Sequence, residues 1–104
     1  MPFWPDPGLI RNDPAAVGVA ETMGKAPAIV VNVNGAVTGA ETPQQAVALA
    51  VFLEDAARVE LAALSAGLAD KAPRMSEEQA KTRATWQGRI AERMWDYLTD
   101  GDPE

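Results

Sequence analysis

Ala28-Ile29-Val30-Val31-Asn32-Val33-Asn34-Gly35-Ala36-Val37-Thr38 decides how the rest of this chain is read. Residues 28–33 form an almost continuous β-branched run, the pattern of a strand buried on both faces. Asn-Gly follows, and Ala36-Val37-Thr38 supplies a second short strand ending at Gly39. Asn-Gly between two such runs is a strong signal for a tight hairpin, because both residues tolerate positive φ. On this reading Asn34 is a turn residue.

On the N-terminal side of the hairpin, Asp13-Pro14 is an N-cap and first-turn pair, predicting a short helix from Pro14 to Met23 that Gly24 closes. Residues 1–12 hold three prolines and no periodicity, and read as an extended arm. On the C-terminal side, Thr42-Pro43-Gln44-Gln45 combines a capping threonine, a first-turn proline and a capping-box glutamine. The helix it opens meets no breaker until Gly67, a length of about 36 Å at 1.5 Å per residue. Leu53, Ala57, Leu61 and Leu64 line one stripe of it, and Phe52, Ala56, Val59 and Ala63 widen the apolar surface, which therefore calls for more than one neighbour. A second capping box, Ser76-Glu77-Glu78-Gln79, opens a last helix predicted to reach Leu98 and to present Trp86, Ile90, Met94, Tyr97 and Leu98 on one side. The organisation expected is an arm (1–12), a helix–hairpin–helix core (13–68), and a linker, helix and acidic tail (69–104).

The fold class is α/β, of an α+β-like kind: a short helix, a two-stranded hairpin that completes a sheet, and two long C-terminal helices. Two strands are marginal as a sheet, yet residues 29–33 read as buried on both faces. The core is therefore incomplete, and a homo-oligomer or a larger partner is expected to complete it.

Composition narrows the chemistry. The 104 residues amount to one domain at most, or a piece of one. There is no cysteine and no histidine, which removes disulfides, thiolate ligands and the commonest general acid/base and metal ligand. A net charge of −6 argues against nucleic acid and against anionic membrane surfaces. No apolar run is long enough to span a bilayer, and Met1-Pro2-Phe3-Trp4-Pro5-Asp6 has neither the basic nor the apolar region of a signal peptide. The expected location is the cytoplasm.

The stretch from Ala28 to Gly67 resembles the class II aldolase/adducin family. The likeness lies in the apolar strand, the Asn34-Gly35 pair where the family has His-Gly, and the second strand ending in glycine. It continues through Glu41-Thr42-Pro43-Gln44-Gln45-Ala46 and Phe52-Leu53-Glu54-Asp55-Ala56-Ala57-Arg58-Val59-Glu60-Leu61. The resemblance implies the second half of an α/β/α metal-dependent lyase, a decarboxylase or aldolase. The family's first half, with its catalytic Glu and His-x-His pair, has no counterpart here. The third metal-ligand histidine falls on Asn34, and a carboxamide oxygen is a far poorer ligand than imidazole.

The resemblance and its missing half together imply a small subunit of a split, heteromeric lyase. It would hold no cofactor alone, while a larger partner subunit would carry the divalent metal (Zn, Mn or Fe). The alternative is a non-catalytic interaction or regulatory module. Within the lyase reading, Asn34 is the candidate catalytic and substrate-binding residue, with Gly35 admitting the substrate close to the backbone. Trp95 and Tyr97 are candidates for reaching a neighbouring subunit's site, since the family builds sites with C-terminal segments. Their competing role is core packing.

Overall fold

The computed structural model describes residues 1–68, 71 and 73–103. The expected linker positions Ala69, Asp70 and Ala72, and Glu104 of the acidic tail, lie outside the described residues. The elements run β1 (Phe3–Trp4), α1 (Asp13–Met23), β2 (Ala28–Val31), β3 (Gly35–Thr38), α2 (Pro43–Ser65), α3 (Glu77–Arg83), a 3-10 turn (Gln87–Arg89) and α4 (Ile90–Thr99). The chain is mixed α/β, compatible with the α+β class, and divides into two units, Met1–Ala50 and Val51–Glu104. The division falls inside α2.

In the first unit the buried strand has the two neighbours its sequence demands. The hairpin provides one: β2 pairs antiparallel with β3, Ile29 opposite Val37 and Val31 opposite Gly35. The other comes from the arm, since β1 pairs parallel with β2 in the order β1-β2-β3. The amides of Val30 and Asn32 donate to the carbonyls of Pro2 and Trp4, at 3.0 and 2.9 Å. The sheet expected to have two strands therefore has three, the third supplied by the arm expected to be extended. Two residues between Pro2 and Pro5 are too few to show a period, but enough to satisfy the free edge of β2.

The turn also sits earlier than expected. The amide of Asn34 donates to the Val31 carbonyl at 3.2 Å, so the turn is centred on Asn32–Val33 and Gly35 already belongs to β3. Val33 occupies the third position of this turn with φ 70°, where a type II turn prefers glycine or asparagine. A β-branched residue is costly there, and the Val33 side chain, 83% exposed, recovers nothing by burial.

Cross-strand partners share a face, so Trp4, Ile29, Val31 and Val37 lie on one side of the sheet. Ile29 and Val31 are buried there, and Val19 of α1 is buried too. Trp4 lies against α1 at Gly18, where a Cβ would come within 2.6 Å of the ring atom Cη2. On the opposite side the Thr38 hydroxyl donates to the Ala46 carbonyl at 2.9 Å, tying β3 to the first turns of α2, where Ala48 is fully buried.

The caps follow the sequence closely, with one shift. Asn12 rather than Asp13 caps α1, its side chain accepting from the Ala15 amide at 2.9 Å, and Asp13-Pro14 fills the first turn. Thr42 caps α2, its hydroxyl accepting from the Gln45 amide at 3.1 Å. At the other end of α2 the amides of Gly67 and Leu68 donate to the carbonyls of Leu64 and Ala63, a Schellman closure with Gly67 left-handed.

The second unit departs more from expectation. The Ser76–Gln79 capping box is present in full, but the helix it opens ends at Arg83. Gly88 and Arg89 take left-handed φ values of 75° and 57°, so a second helix, α4, starts only at Ile90. The single long helix reaching Leu98 is therefore two helices. Phe52 and Trp86 stack at 6.5 Å between ring centroids, and Ala91 is fully buried. Leu61, Leu64, Tyr97 and Leu98 remain exposed.

Two substitutions probe the turn and the arm contact of the first unit. Val33→Asn is expected to raise stability by about 1 kcal/mol by relieving the left-handed valine, read as a higher denaturant midpoint at unchanged slope. Gly18→Ala would add about 1 kcal/mol of helix propensity in an open helix. Against the Trp4 ring it is instead expected to destabilise by about 1–3 kcal/mol. Recovery of the lost stability in a Trp4→Val background would assign the loss to that contact.

Candidate functional site

Asn34 is the residue that both the hairpin and the family resemblance single out, and it lies exposed at the end of the β2–β3 turn. Its side-chain nitrogen Nδ2 donates to the Pro7 carbonyl at 3.0 Å and to the Asn32 carbonyl at 3.3 Å. Asn32 makes the parallel contact one step back along the arm, its Nδ2 donating to the Pro5 carbonyl at 2.9 Å. The two asparagines thus clasp residues 5–7 over the turn. The arm tightens further where the Asp6 carboxylate accepts from the Gly8 amide at 2.8 Å.

Beside this clasp lies a recess of about 240 Å³ lined by Leu9, Ile10, Val31, Asn34, Ala36 and Val37. It is small and apolar, with the Asn34 carboxamide as its one polar wall. Both amide hydrogens of Asn34 are engaged with carbonyls, so its Oδ1 is what it can offer a ligand, as an acceptor. Gly35 adjoins it with φ 116°, a conformation that an L side chain rarely adopts.

Trp95 and Tyr97 belong to the second unit and Asn34 and Gly35 to the first, so each pair is described in its own unit. Trp95 is half-buried in α4, whereas the Tyr97 side chain, at 78% exposure, is not packed. Tyr97 is therefore not packed into the core of its own unit among the described residues.

A broader, open cleft of about 770 Å³ surrounds the start of α3, with Arg74, Ser76, Gln79 and Arg83 among its walls. Its size exceeds that of the Asn34 recess, but Ser76 and Gln79 are spent on capping each other's backbone. It is the groove beside one short helix and assembles no reactive set. Among the described residues, no three His, Cys, Asp or Glu side chains come together as a metal-binding group. Among them, too, no helix is long and apolar enough to cross a membrane.

Asn32, Leu9 and Ile10 join this site without having been singled out by the sequence. Nothing in the sequence places Leu9 and Ile10. No protein family, no curated protein and no solved structure matches this chain.

The clasp can be tested through Asn34→Asp, which replaces the donating NH2 with an oxygen facing two carbonyls. It is expected to destabilise by about 1 kcal/mol, the net worth of the exposed hydrogen bonds it removes. Hydrogen exchange should quicken most at the Val30 and Asn32 amides. Unchanged protection at those two amides would mean the arm does not depend on Asn34.

Proposed function

We propose that this chain acts as an association subunit, completing and being completed by another polypeptide. The observation that carries this is its exposed area of 8210 Å². A compact monomer of 11.0 kDa exposes about 5,600 Å², and two separate compact globules of half that mass about 6,800 Å² together. The excess over even the second figure, roughly 1,400 Å², is more than the ~800 Å² that each partner buries in a standard protein–protein interface. It includes exposed Leu61, Leu64 and Val59 on α2 and Leu98 on α4. At about 25 cal/mol per Å² of apolar area, leaving such a surface wet is costly enough to drive association.

The finer proposal rests on the resemblance of residues 28–67. The complex is a class II aldolase-like lyase, the partner holds the divalent metal as Lewis acid for C–C cleavage, and Asn34 faces the substrate. The recess at Asn34 supports this reading, because a single acceptor in an apolar wall suits orientation of a substrate hydroxyl or a metal-bound water. Decarboxylation is preferred to retro-aldol cleavage, since among the described residues no basic side chain lines the recess. The alternative is the same association without chemistry, an interaction module.

Light scattering on the purified full chain is the direct test. Self-association, or aggregation relieved by a co-expressed partner in one stoichiometric peak, is expected. A monomer of 11.0 kDa that melts cooperatively on its own would overturn the association reading. For the lyase reading, Asn34→Ala in the assembled complex should lower turnover with the complex intact, and unchanged kinetics would remove Asn34 from the site.

A further inference from the structure

The geometry points to β3 as a dimerisation edge, on which the β3 strand of a second copy of this chain pairs antiparallel about a two-fold axis at Val37. The inference gives the association reading above one occupant and rests on that reading, with its seam at β3 of the first unit rather than at the exposed α2 and α4 side chains of the second.

The backbone register decides which groups are available. The Gly39 amide donates to the Pro27 carbonyl at 3.0 Å, continuing the register in which Ala28 faces Thr38 and Ile29 faces Val37. Hydrogen-bonded and non-bonded pairs alternate along an antiparallel ladder. Gly35, Val37 and Gly39 therefore turn their N–H and C=O groups towards β2, and Ala36 and Thr38 turn theirs outward. The same alternation sends the Val30 and Asn32 amides of β2 to β1, as observed. Among the described residues, no backbone hydrogen bond outside the β2–β3 ladder involves Ala36 or Thr38. Two donors and two acceptors thus stand in a row on the free edge.

The two edges of the sheet are not alike. β1 has only two residues between Pro2 and Pro5, and both shortness and proline blunt an edge. β3 has no proline, no charge and no bulge. It lies within Ala26–Ala40, fifteen consecutive residues without an ionisable side chain. Copies carrying a net charge of −6 each can therefore meet at this edge without placing like charges opposite one another.

A two-fold axis at Val37 uses every outward group. Ala36 exchanges both bonds with Thr38 of the second copy, and Thr38 does so with its Ala36, giving four hydrogen bonds. Val37 then meets its own mate in the non-bonded position, where side chains approach most closely. Val37 is 42% exposed and borders the apolar recess lined by Leu9 and Ile10, so the contact covers surface that is now wet. A second copy suits this edge because its own residues 26–40 are equally free of ionisable side chains, and the two-fold pairing leaves no outward group of Ala36 or Thr38 unmatched. Since β1 cannot extend the sheet, the pairing closes at a six-stranded dimer and does not propagate.

Light scattering and amide exchange on the full chain test this together. The expected result is a mass twice 11.0 kDa, with Ala36 and Thr38 amides protected at high concentration and exchanging freely on dilution. Gly35 and Val37 amides should be protected throughout. Ala36→Pro removes an outward donor that β2 does not use, and Val37→Lys sets two ammonium groups together at the axis. Each should return the chain to a single-copy mass, and circular dichroism on each reports whether the fold survives. If neither variant folds, the exchange pattern of the unmodified chain decides alone. An oligomer whose Ala36 and Thr38 amides exchange freely at all concentrations overturns the β3 seam and leaves the association reading standing. A chain that stays monomeric by itself overturns the second copy as occupant, and with a cooperative melt it overturns the association reading as well.

Discussion

β2 carries a run of side chains that want burial on both faces, and its backbone needs a partner on both edges. The first unit is arranged around meeting these demands with very little chain. Among the described residues Ile29 is the only large side chain that is fully buried, so burial of this one strand is the centre of the unit rather than one contribution among many. The amides of Val30 and Asn32 would face a naked edge if the arm were absent. Pro2 and Trp4 supply carbonyls in their place, which is a task proline can perform because only its N–H is missing. The pairing then fixes where the Trp4 ring falls, and the ring in turn requires the bare backbone of Gly18. A three-residue turn must next return Asn34 above the arm. The left-handed valine at position 33 is part of that turn, and the carboxamides of Asn32 and Asn34 fasten the arm within it.

Much of this is legible in the sequence, and the reasons differ by element. The capping signals at Thr42 and Ser76 act over three residues, so they read correctly without tertiary knowledge. The β2–β3 hairpin is equally local. Its turn reads two residues too late because Asn34-Gly35 is statistically the better turn pair, whereas the arm contacts favour a turn at Asn32–Val33. β1 is invisible for a related reason: its strand character comes from pairing with β2, some 27 residues away, and Phe3-Trp4 has no pattern of its own. The break between α3 and α4 is marked by Gly88, but the apolar positions on either side continue in a helical register and hide it. The candidate site is legible only as a position. Asn34 can be singled out, but its use as a clasp on Pro7 depends on the arm, which local signals do not place.

The clasp also limits what chemistry Asn34 can perform. A carboxamide has two hydrogens to donate and one oxygen to accept, and here the donors already serve the fold. What is left is an acceptor that stays neutral at any ordinary pH. Such a group can orient a hydroxyl or a water but cannot shuttle a proton. In a lyase assembled with a metal-bearing partner, that makes Asn34 a positioning group, with acid–base work falling to the other chain. In an interaction module the same geometry needs no chemistry, because holding the arm against β2 is sufficient reason for both asparagines. The two readings therefore ask different things of one side chain: the oxygen for the first, the hydrogens for the second.

Folding and association are linked in such a chain by more than proximity. Pairing at the outer edge of β3 would order the strand whose inner edge bonds to β2, and β2 in turn orders the arm. Each added strand lowers the entropy still to be lost by the next, so the ladder is cooperative across its width even though each bond contributes only about 1 kcal/mol net. Pairing of this kind would make stability a function of protein concentration, since anything that binds the folded state alone draws the equilibrium towards it. The arm sits at the far side of the same sheet and is held by two backbone bonds and two carboxamides. On the proposed pairing, docking of the arm would therefore respond, through β2, to occupation of the opposite edge.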